Sequence, residues 1–379
     1  MKRVPENLLV FSHLRWDFVF QRPQHLLTRF AREFNVYFFE EPIHDVAEDG
    51  ESYLSISKRD DKLWVLVPHL PQGISKKENV SLQKLILKSF LKDKSLSDFI
   101  FWYYTPMALE FSRDYFPNLT IYDCMDELSA FKNAPTELSY LEKELLTRAD
   151  VVFTGGHSLY EAKKHQHQNI HPFPSSIDKE HFAQARNKIE QPADQAHLTG
   201  KKLGFYGVID ERFDYKLIGE AASMRPEWDF VLIGPTVKIN PEILPKNTNI
   251  HYLGGKSYNE LPAYLAGWDL AMIPFLLNES TRYISPTKTP EYLSAGIPVV
   301  STPIRDVVKP YGKLNLVSIV SNAKEFVQAA EAELSKPKEE WLERVDDFLS
   351  TKSWDQTWSD MMDLIRKAMG RKISVPLSA

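Results

Sequence analysis

Twice along the chain, short apolar runs alternate with amphipathic helical stretches, and no other feature limits the fold as strongly. The first series places strands at residues 8–12, 36–40, 63–67, 99–104, 119–123 and 151–154, with helical patterns at 24–33 and 138–148. Several of these runs are apolar throughout rather than alternating, as expected of parallel strands covered on both faces. The second series runs 203–207, 230–234, 250–253, 270–274, 299–302 and 316–320, with helical stretches at 215–224, 258–266, 290–295 and 323–334. Two successive β–α series predict an α/β protein of two doubly wound, Rossmann-like domains. Such sheets bind ligands beyond the carboxyl ends of their strands. Two of them facing across a cleft suit a reaction that joins two substrates and excludes water.

A length of 379 residues suits two domains better than one. The joint is expected in 171–182, HPFPSSIDKEHF, whose prolines and serines favour extended or turning backbone. The expected segments are therefore 1–174, 175–350 and a closing helix in 351–379 with Trp354, Trp358, Met361, Met362 and Ile365 along its apolar side. A formal charge of −5 argues against a dedicated nucleic-acid binder. The one cysteine, Cys124, cannot form an internal disulfide, and the opening Met-Lys-Arg carries no signal-peptide pattern. No apolar run is long enough to span a bilayer. These features predict a cytoplasmic protein.

The most informative stretch is 285–302, SPTKTPEYLSAGIPVVST. Ser285-Pro286 opens a helix, and proline suits a first helical turn. Free backbone N–H groups around Ser285 and Thr287 make that tip an anion site, to which Lys288 adds a full charge. Glu291 lies one turn on, where a carboxylate can accept hydrogen bonds from the two vicinal hydroxyls of a ribose. Together they would hold a nucleoside diphosphate. An ordinary surface Lys–Glu pair gives the same spacing in isolation. Context favours the site: Gly207, Gly234 and Gly254 end successive strands, and Arg212 follows the first of them in a loop. All fall on one predicted rim of one domain, where backbone can approach a phosphate closely. A Glu291 side chain packed away against protein would argue against the assignment.

In order, these segments (strand-Gly-loop-Arg, IGP, YLGG, DLAMIPF and SPTKTPEYLSAGIPVVST) resemble the donor domain of GT-B glycosyltransferases, especially the large family-four group. The resemblance extends over nearly the whole chain, including a linker, SSIDKEHF, and a tail, SWDQTWSDM, that is similar to the helix crossing back to the first domain. It implies that Glu291 is the ribose-binding second glutamate of an E-x7-E signature, and that Lys288 and Arg212 take the phosphate-binding roles. Tyr283 stands where the first glutamate belongs, so donor sugar and stereochemical outcome do not follow. The opening FSHLRWDFVFQRPQHL is similar to those of bacterial glycosyltransferases, some fused to sugar-nucleotide mutases.

The implied activity is transfer of a sugar from a UDP- or GDP-sugar to a hydroxyl of a glycan or lipid-linked acceptor in polysaccharide biosynthesis. The nucleotide sugar is a substrate, and no cofactor is expected. Asp-x-Asp, a metal-spaced Cys/His cluster and a Walker loop are all missing from the sequence, so Lys288, Arg212 and the helix tip are expected to replace a metal ion. A sugar-nucleotide epimerase of the same fold and a non-catalytic sugar-nucleotide binder are the alternatives.

On the acceptor side, residues 11–26 follow the first strand and carry His13, Arg15, Trp16, Asp17 and Arg22, all able to bind sugars or phosphates. IYDCMDE at 121–127 ends a strand in carboxylates. Asp126 is the preferred general base, with Asp123 and Glu127 as rivals and helix capping as the other use of such an aspartate. TGGHS at 154–158 resembles a loop that approaches the diphosphate and places His157 near donor or acceptor. Lys84, Lys88 and Lys92 recur at helical spacing beside Leu85, Ile86 and Phe90. They form either a solvated face or a peripheral contact with the inner face of the cell membrane.

Overall fold

The structure, a computed structural model, describes residues 5–374. Residues 1–4 and 375–379, the outer ends of the first and last expected segments, lie outside the described residues. The chain forms two compact units, one of residues up to 155, 159–173 and from 355 onward, the other of 156–158 and 174–354.

The first unit is built on nine strands: β1 (Asn7–Phe11), β2 (Asn35–Phe39), β3 (Ile43–Val46), β4 (Tyr53–Asp60), β5 (Leu63–Pro71), β6 (Phe99–Tyr103), β7 (Leu119–Cys124), β8 (Val151–Thr154) and β9 (Ile170–Pro172). Their order is β3-β5-β2-β1-β6-β7-β8-β9, with β4 antiparallel to β5 and the other pairs parallel. The second unit has six parallel strands: β10 (Lys201–Tyr206), β11 (Trp228–Ile233), β12 (Ile250–Gly254), β13 (Leu270–Ile273), β14 (Val299–Ser301) and β15 (Ser318–Ile319), in the order β12-β11-β10-β13-β14-β15. In each sheet the chain winds outward from a central strand, then returns to its other side. The switch points fall between β1 and β6 and between β10 and β13, where open α/β sheets bind ligands.

Burial explains why these strands are apolar at every residue. All five residues of β6 and all four of β13 are buried, so alternation would place polar groups in the core. β3, β4 and β9 are absent from the sequence reading. β4 is an edge strand with Tyr53 and Ile56 about half exposed, and so thin an apolar signal does not mark a strand. The expected strand at 316–320 shortens to Ser318–Ile319. The expected helix at 258–266 splits into a 3-10 turn, Tyr258–Glu260, and a helix, Leu261–Leu265. Helix Lys76–Leu91 starts at a reciprocal cap, where Ser75 Oγ accepts from the Glu78 N–H and the Glu78 carboxylate accepts from Ser75. The final helix, Trp354–Ser374, buries Met361, Met362 and Ile365, and Asp355 accepts 2.8 Å bonds from Arg29 and Arg32 of the same unit.

Candidate functional site

The carboxyl rim of the second sheet gathers most of the residues expected to hold a donor. Gly207 follows β10 with φ +133°, and Gly234 follows β11 with φ +140°. A Cβ on Gly234 would lie 1.9 Å from the Gly207 carbonyl oxygen, and both positions hold a backbone conformation that residues with side chains rarely adopt. A Cβ on Gly207 would lie 2.4 Å from Lys288 Cε and 2.7 Å from its Nζ. The lysine therefore rests directly on the end of β10. Its ammonium sits 5.5 Å from the centre of the Phe205 ring and 5.8 Å from that of Phe275. Burial pulls the Lys288 pKa down to about 8, helped by Arg212 and opposed by Glu291 and Asp210. Lys288 opens the helix Lys288–Ser294, preceded by half-buried Ser285 and Thr287. The Ser285 carbonyl accepts a 2.8 Å bond from Ser175 Oγ, which ties the approach to the helix.

Two donor residues are more committed to protein than expected. Glu291 is only 5% exposed, and its Oε2 accepts a short hydrogen bond from the Tyr206 hydroxyl. Burial raises its pKa to about 7, against the opposing pull of Tyr206 and Lys288. The open carboxylate pictured from sequence is thus a Glu–Tyr pair packed against protein, the arrangement that argues against ribose binding by Glu291, because Tyr206 at the end of β10 turns inward beside it. Arg212 is also occupied: its Nε reaches Asp210 Oδ1 at 3.0 Å and its Nη2 reaches Oδ2 at 2.7 Å. The arginine charge is matched by a buried carboxylate, which leaves Lys288 as the principal cation of the rim. Gly254 ends β12 with φ +69° and open space where a Cβ would be. Tyr206, Asp210, Phe205 and Phe275 escape sequence reading. Only the strand-end positions of Phe205 and Tyr206 hinted at them.

The first unit corrects several acceptor expectations. Arg15 Nη1 is bonded to Glu40 Oε2 at 3.0 Å and to the Glu41 carbonyl at 2.6 Å. Trp16 packs edge-on against Phe38 at 5.1 Å, and its backbone N–H donates to Glu40 Oε1. Arg59 grips both carboxylate oxygens of Asp17. Arg22 is buried in a forked ion pair with Asp123, at 3.1 and 2.9 Å, and also donates to the Phe173 carbonyl at 2.7 Å. These groups hold the 12–22 loop in place rather than present it to a ligand. His13 stays half-buried on that loop.

Among the three carboxylates at the end of β7 and just beyond it, Asp123 is fully buried against Arg22, which opposes the upward push of burial on its pKa. Glu127 is paired with the buried Lys163 at 2.8 Å, and Glu142 takes the same ammonium at 2.8 Å. Asp126 is half-buried between them, on a loop that this Lys163 cluster anchors. Exposed His157 starts the helix His157–Lys163, where the Ser158 N–H donates to Asp306 Oδ1 at 3.0 Å. Lys84, Lys88 and Lys92 are exposed; Lys84 pairs with Asp114, and Leu85 between the first two is 61% exposed. Among the described residues no helix is long and apolar enough to cross a membrane.

Two doubly wound units with this rim define a GT-B fold. Solved structures bear this out at fold level. The chain is similar to sucrose-phosphate synthase from Thermosynechococcus elongatus (TM-score 0.71, 13% identity, 97% of this chain and 100% of that one). It is also similar to an E. coli structure described as trehalose-6-phosphate bound with UDP-2-fluoro glucose (TM-score 0.69, 13% identity, 94% and 98%). WaaG, a glycosyltransferase involved in lipopolysaccharide biosynthesis, aligns at TM-score 0.59 with 13% identity over 94% and 99%. More particularly, residues 200–336, all within the second unit, match the family described as Glycosyl transferases group 1. Over 232 residues the chain is 28% identical to TuaH of Bacillus subtilis (strain 168), which carries the name of a teichuronic acid biosynthesis glycosyltransferase. That match spans 55% of this chain and 57% of TuaH, just over half of each.

Proposed function

We propose that the chain moves a sugar from a UDP- or GDP-sugar to a hydroxyl of a glycan or lipid-linked acceptor. The observation that carries this reading is Lys288 laid across Gly207, with the Glu291–Tyr206 pair deeper on the same rim. The ammonium, protonated below about pH 8, neutralises the diphosphate, and the bare backbone of Gly207 and Gly234 lets it come close. Ribose binding by Glu291, ionised above about pH 7, requires its second carboxylate oxygen to reach the hydroxyls while Tyr206 holds Oε2; its burial counts against this part of the reading, which Glu291→Ala tests. Ser285, Thr287 and Gly254 complete the donor surface, and Arg212 with Asp210 sets the charge around Lys288. As the sugar–oxygen bond breaks, negative charge grows on the leaving diphosphate. Lys288 offsets that charge, so activity is expected to survive EDTA.

On the acceptor side, Asp126, half-buried on the loop after β7, is assigned to take the proton of the attacking hydroxyl; Asp123 and Glu127 are committed to Arg22 and Lys163. His13 and His157 are assigned to acceptor and donor orientation. The family match of residues 200–336 and the name carried by TuaH support transfer into a polysaccharide over epimerisation. Peripheral membrane contact through Lys84, Lys88 and Lys92 is supported by the exposed Leu85 among them. Changing the three lysines to glutamate should abolish binding to anionic liposomes, and unchanged binding ends that part of the proposal.

The donor site is tested by thermal shift with UDP and GDP. A bound nucleotide raises the melting point by mass action. Lys288→Ala and Glu291→Ala should each blunt the rise, and variants that respond like wild type would overturn the site.

A further inference from the structure

On the first unit's sheet, β3 and β4 both flank β5, and each of the three strands supplies one member of a reactive cluster. Ser55 comes from β4, His69 from β5 and Asp45 from β3. His69 Nδ1 lies 2.9 Å from both Asp45 carboxylate oxygens. A carboxylate only accepts, so Nδ1 carries the proton, and in the neutral ring Nε2 is left as the acceptor. Ser55 Oγ lies 3.0 Å from that Nε2, nearer than its other acceptor, the Val67 carbonyl at 3.3 Å. A hydroxyl bonded to an imidazole that a carboxylate orients is the arrangement that makes a serine nucleophilic, whatever the order of the three along the chain.

The sheet explains why the three groups meet. Tyr53 stands directly across from His69 in the β4–β5 register, and the two rings stack at 4.4 Å with 3° between their planes, which restrains the imidazole. Ser55, two residues on, is the diagonal neighbour of His69 on the same face. The β3–β5 register slips between His44 and Val46, so the irregularity falls at Asp45; bulges of this kind re-aim a side chain. The His69 side chain is 14% exposed, and that of Asp45 about half exposed. The backbone adds a donor. The Glu40 N–H donates to the Leu66 carbonyl, so Leu66 turns its backbone groups to β2. Ile56, opposite Leu66, therefore turns its own N–H away from β5, to an edge of β4 that no strand covers among the described residues. An open N–H one residue after the nucleophile can receive an oxyanion.

We propose that Ser55 is a nucleophile that cleaves esters of short carboxylic acids, with His69 as its base and Asp45 positioning His69. Ser55 Oγ adds to the ester carbonyl carbon, and its proton passes to His69 Nε2. The oxyanion meets the Ile56 N–H. The carbon–oxygen bond to the alcohol then breaks, and the alcohol leaves with the proton from Nε2. Water attacks the acyl group on Ser55 and gives a proton to Nε2. The carboxylic acid departs, and Nε2 returns that proton to Oγ. Tyr53, about half exposed beside His69, offers apolar surface for a short acyl chain. This activity is independent of sugar transfer and does not rest on the transferase reading.

The test uses the full chain with a fluorophosphonate probe and, separately, with p-nitrophenyl acetate. Peptide mass spectrometry locates the adduct on the wild-type protein, so this reading needs no variant. Ser55 should carry the phosphonyl group from the first reagent and the acetyl group from the second, and nitrophenol should be released over many turnovers. Ser55→Ala should end both reactions. His69→Gln should slow them by at least about 100-fold, the size of a lost general base. Asp45→Asn should lower the rate at saturating p-nitrophenyl acetate by at least about tenfold with the half-saturating concentration unchanged, a split that a merely structural role would not give. Melting points beside wild type show which variants are folded. No adduct on Ser55, adducts confined to other residues, or an undiminished rate in a folded Ser55→Ala or His69→Gln protein would overturn the proposal and leave the three groups as a plain cross-strand hydrogen-bond network.

Discussion

Replacing Lys288 with methionine should stabilise the unliganded protein and abolish its response to nucleotide. The lysine pKa falls from 10.5 to about 8 because its ammonium is withdrawn from water beside Phe205 and Phe275. At 1.36 kcal/mol per pKa unit, a drop of about 2.5 units means that the charged group costs about 3 kcal/mol in the folded state. Methionine keeps an apolar stem against the two rings and Gly207 without the charge. Glu291, which Lys288 pulls down, then takes up a proton rather than remaining as a lone buried charge. For a unit of this size, about 2–4 °C per kcal/mol predicts a rise of about 6–12 °C in the melting of the second unit at pH 7. The sign with pH is definite. A depressed lysine pKa destabilises fully below about pH 8, and the penalty fades as the pH climbs towards 10.5, where the unfolded chain also loses its proton. By pH 10 the gap between variant and wild type should shrink below about 1 kcal/mol. Calorimetry at pH 7 and pH 10, with and without UDP, reads all of this. A variant that melts at or below wild type at pH 7, or a gap that does not close with pH, would refute the reasoning.

UDP affinity measured by titration calorimetry should peak between about pH 7 and pH 8. Above that window Lys288 loses its proton, and below it Glu291 gains one; Glu291→Gln should remove the acid limb alone. Asp126→Asn should lower kcat by about 10²–10⁴ with melting point and nucleotide shift unchanged, and an unaltered kcat would dismiss it as the base. Arg22→Met strands the buried Asp123 carboxylate and should cost about 3–5 kcal/mol in urea denaturation; a loss under about 1 kcal/mol would mean that the pair contributes little.

Strand positions were legible wherever burial on both faces forces an unbroken apolar run, as in β6, β10 and β13. β4 was not, because an edge strand with polar neighbours writes no such run. The donor rim was legible because strand-end glycines and a Lys–Glu turn are local patterns. Their partners were not: Tyr206 lies 85 residues from Glu291, and Asp123 lies 101 residues from Arg22. Lacking those partners, the polar loop at 13–22 read as ligand-binding when most of it is internal bracing. Helix Lys76–Leu91 shows the same limit. Its outward lysines at 84 and 88 drew notice, while the inward amides at 79 and 83 looked like ordinary surface residues.

The backbone crossing at the donor rim also sets what evolution or engineering can change there. With 1.9 Å between a Cβ at position 234 and the oxygen of residue 207, and with both residues at positive φ, both positions disfavour any residue but glycine. Gly255 is different: a Cβ there meets nothing within 4 Å. A library that randomises the three together and selects for nucleotide binding should return glycine at the first two and a spread of side chains at the third. New base preferences would then be written from the β12 end of the rim.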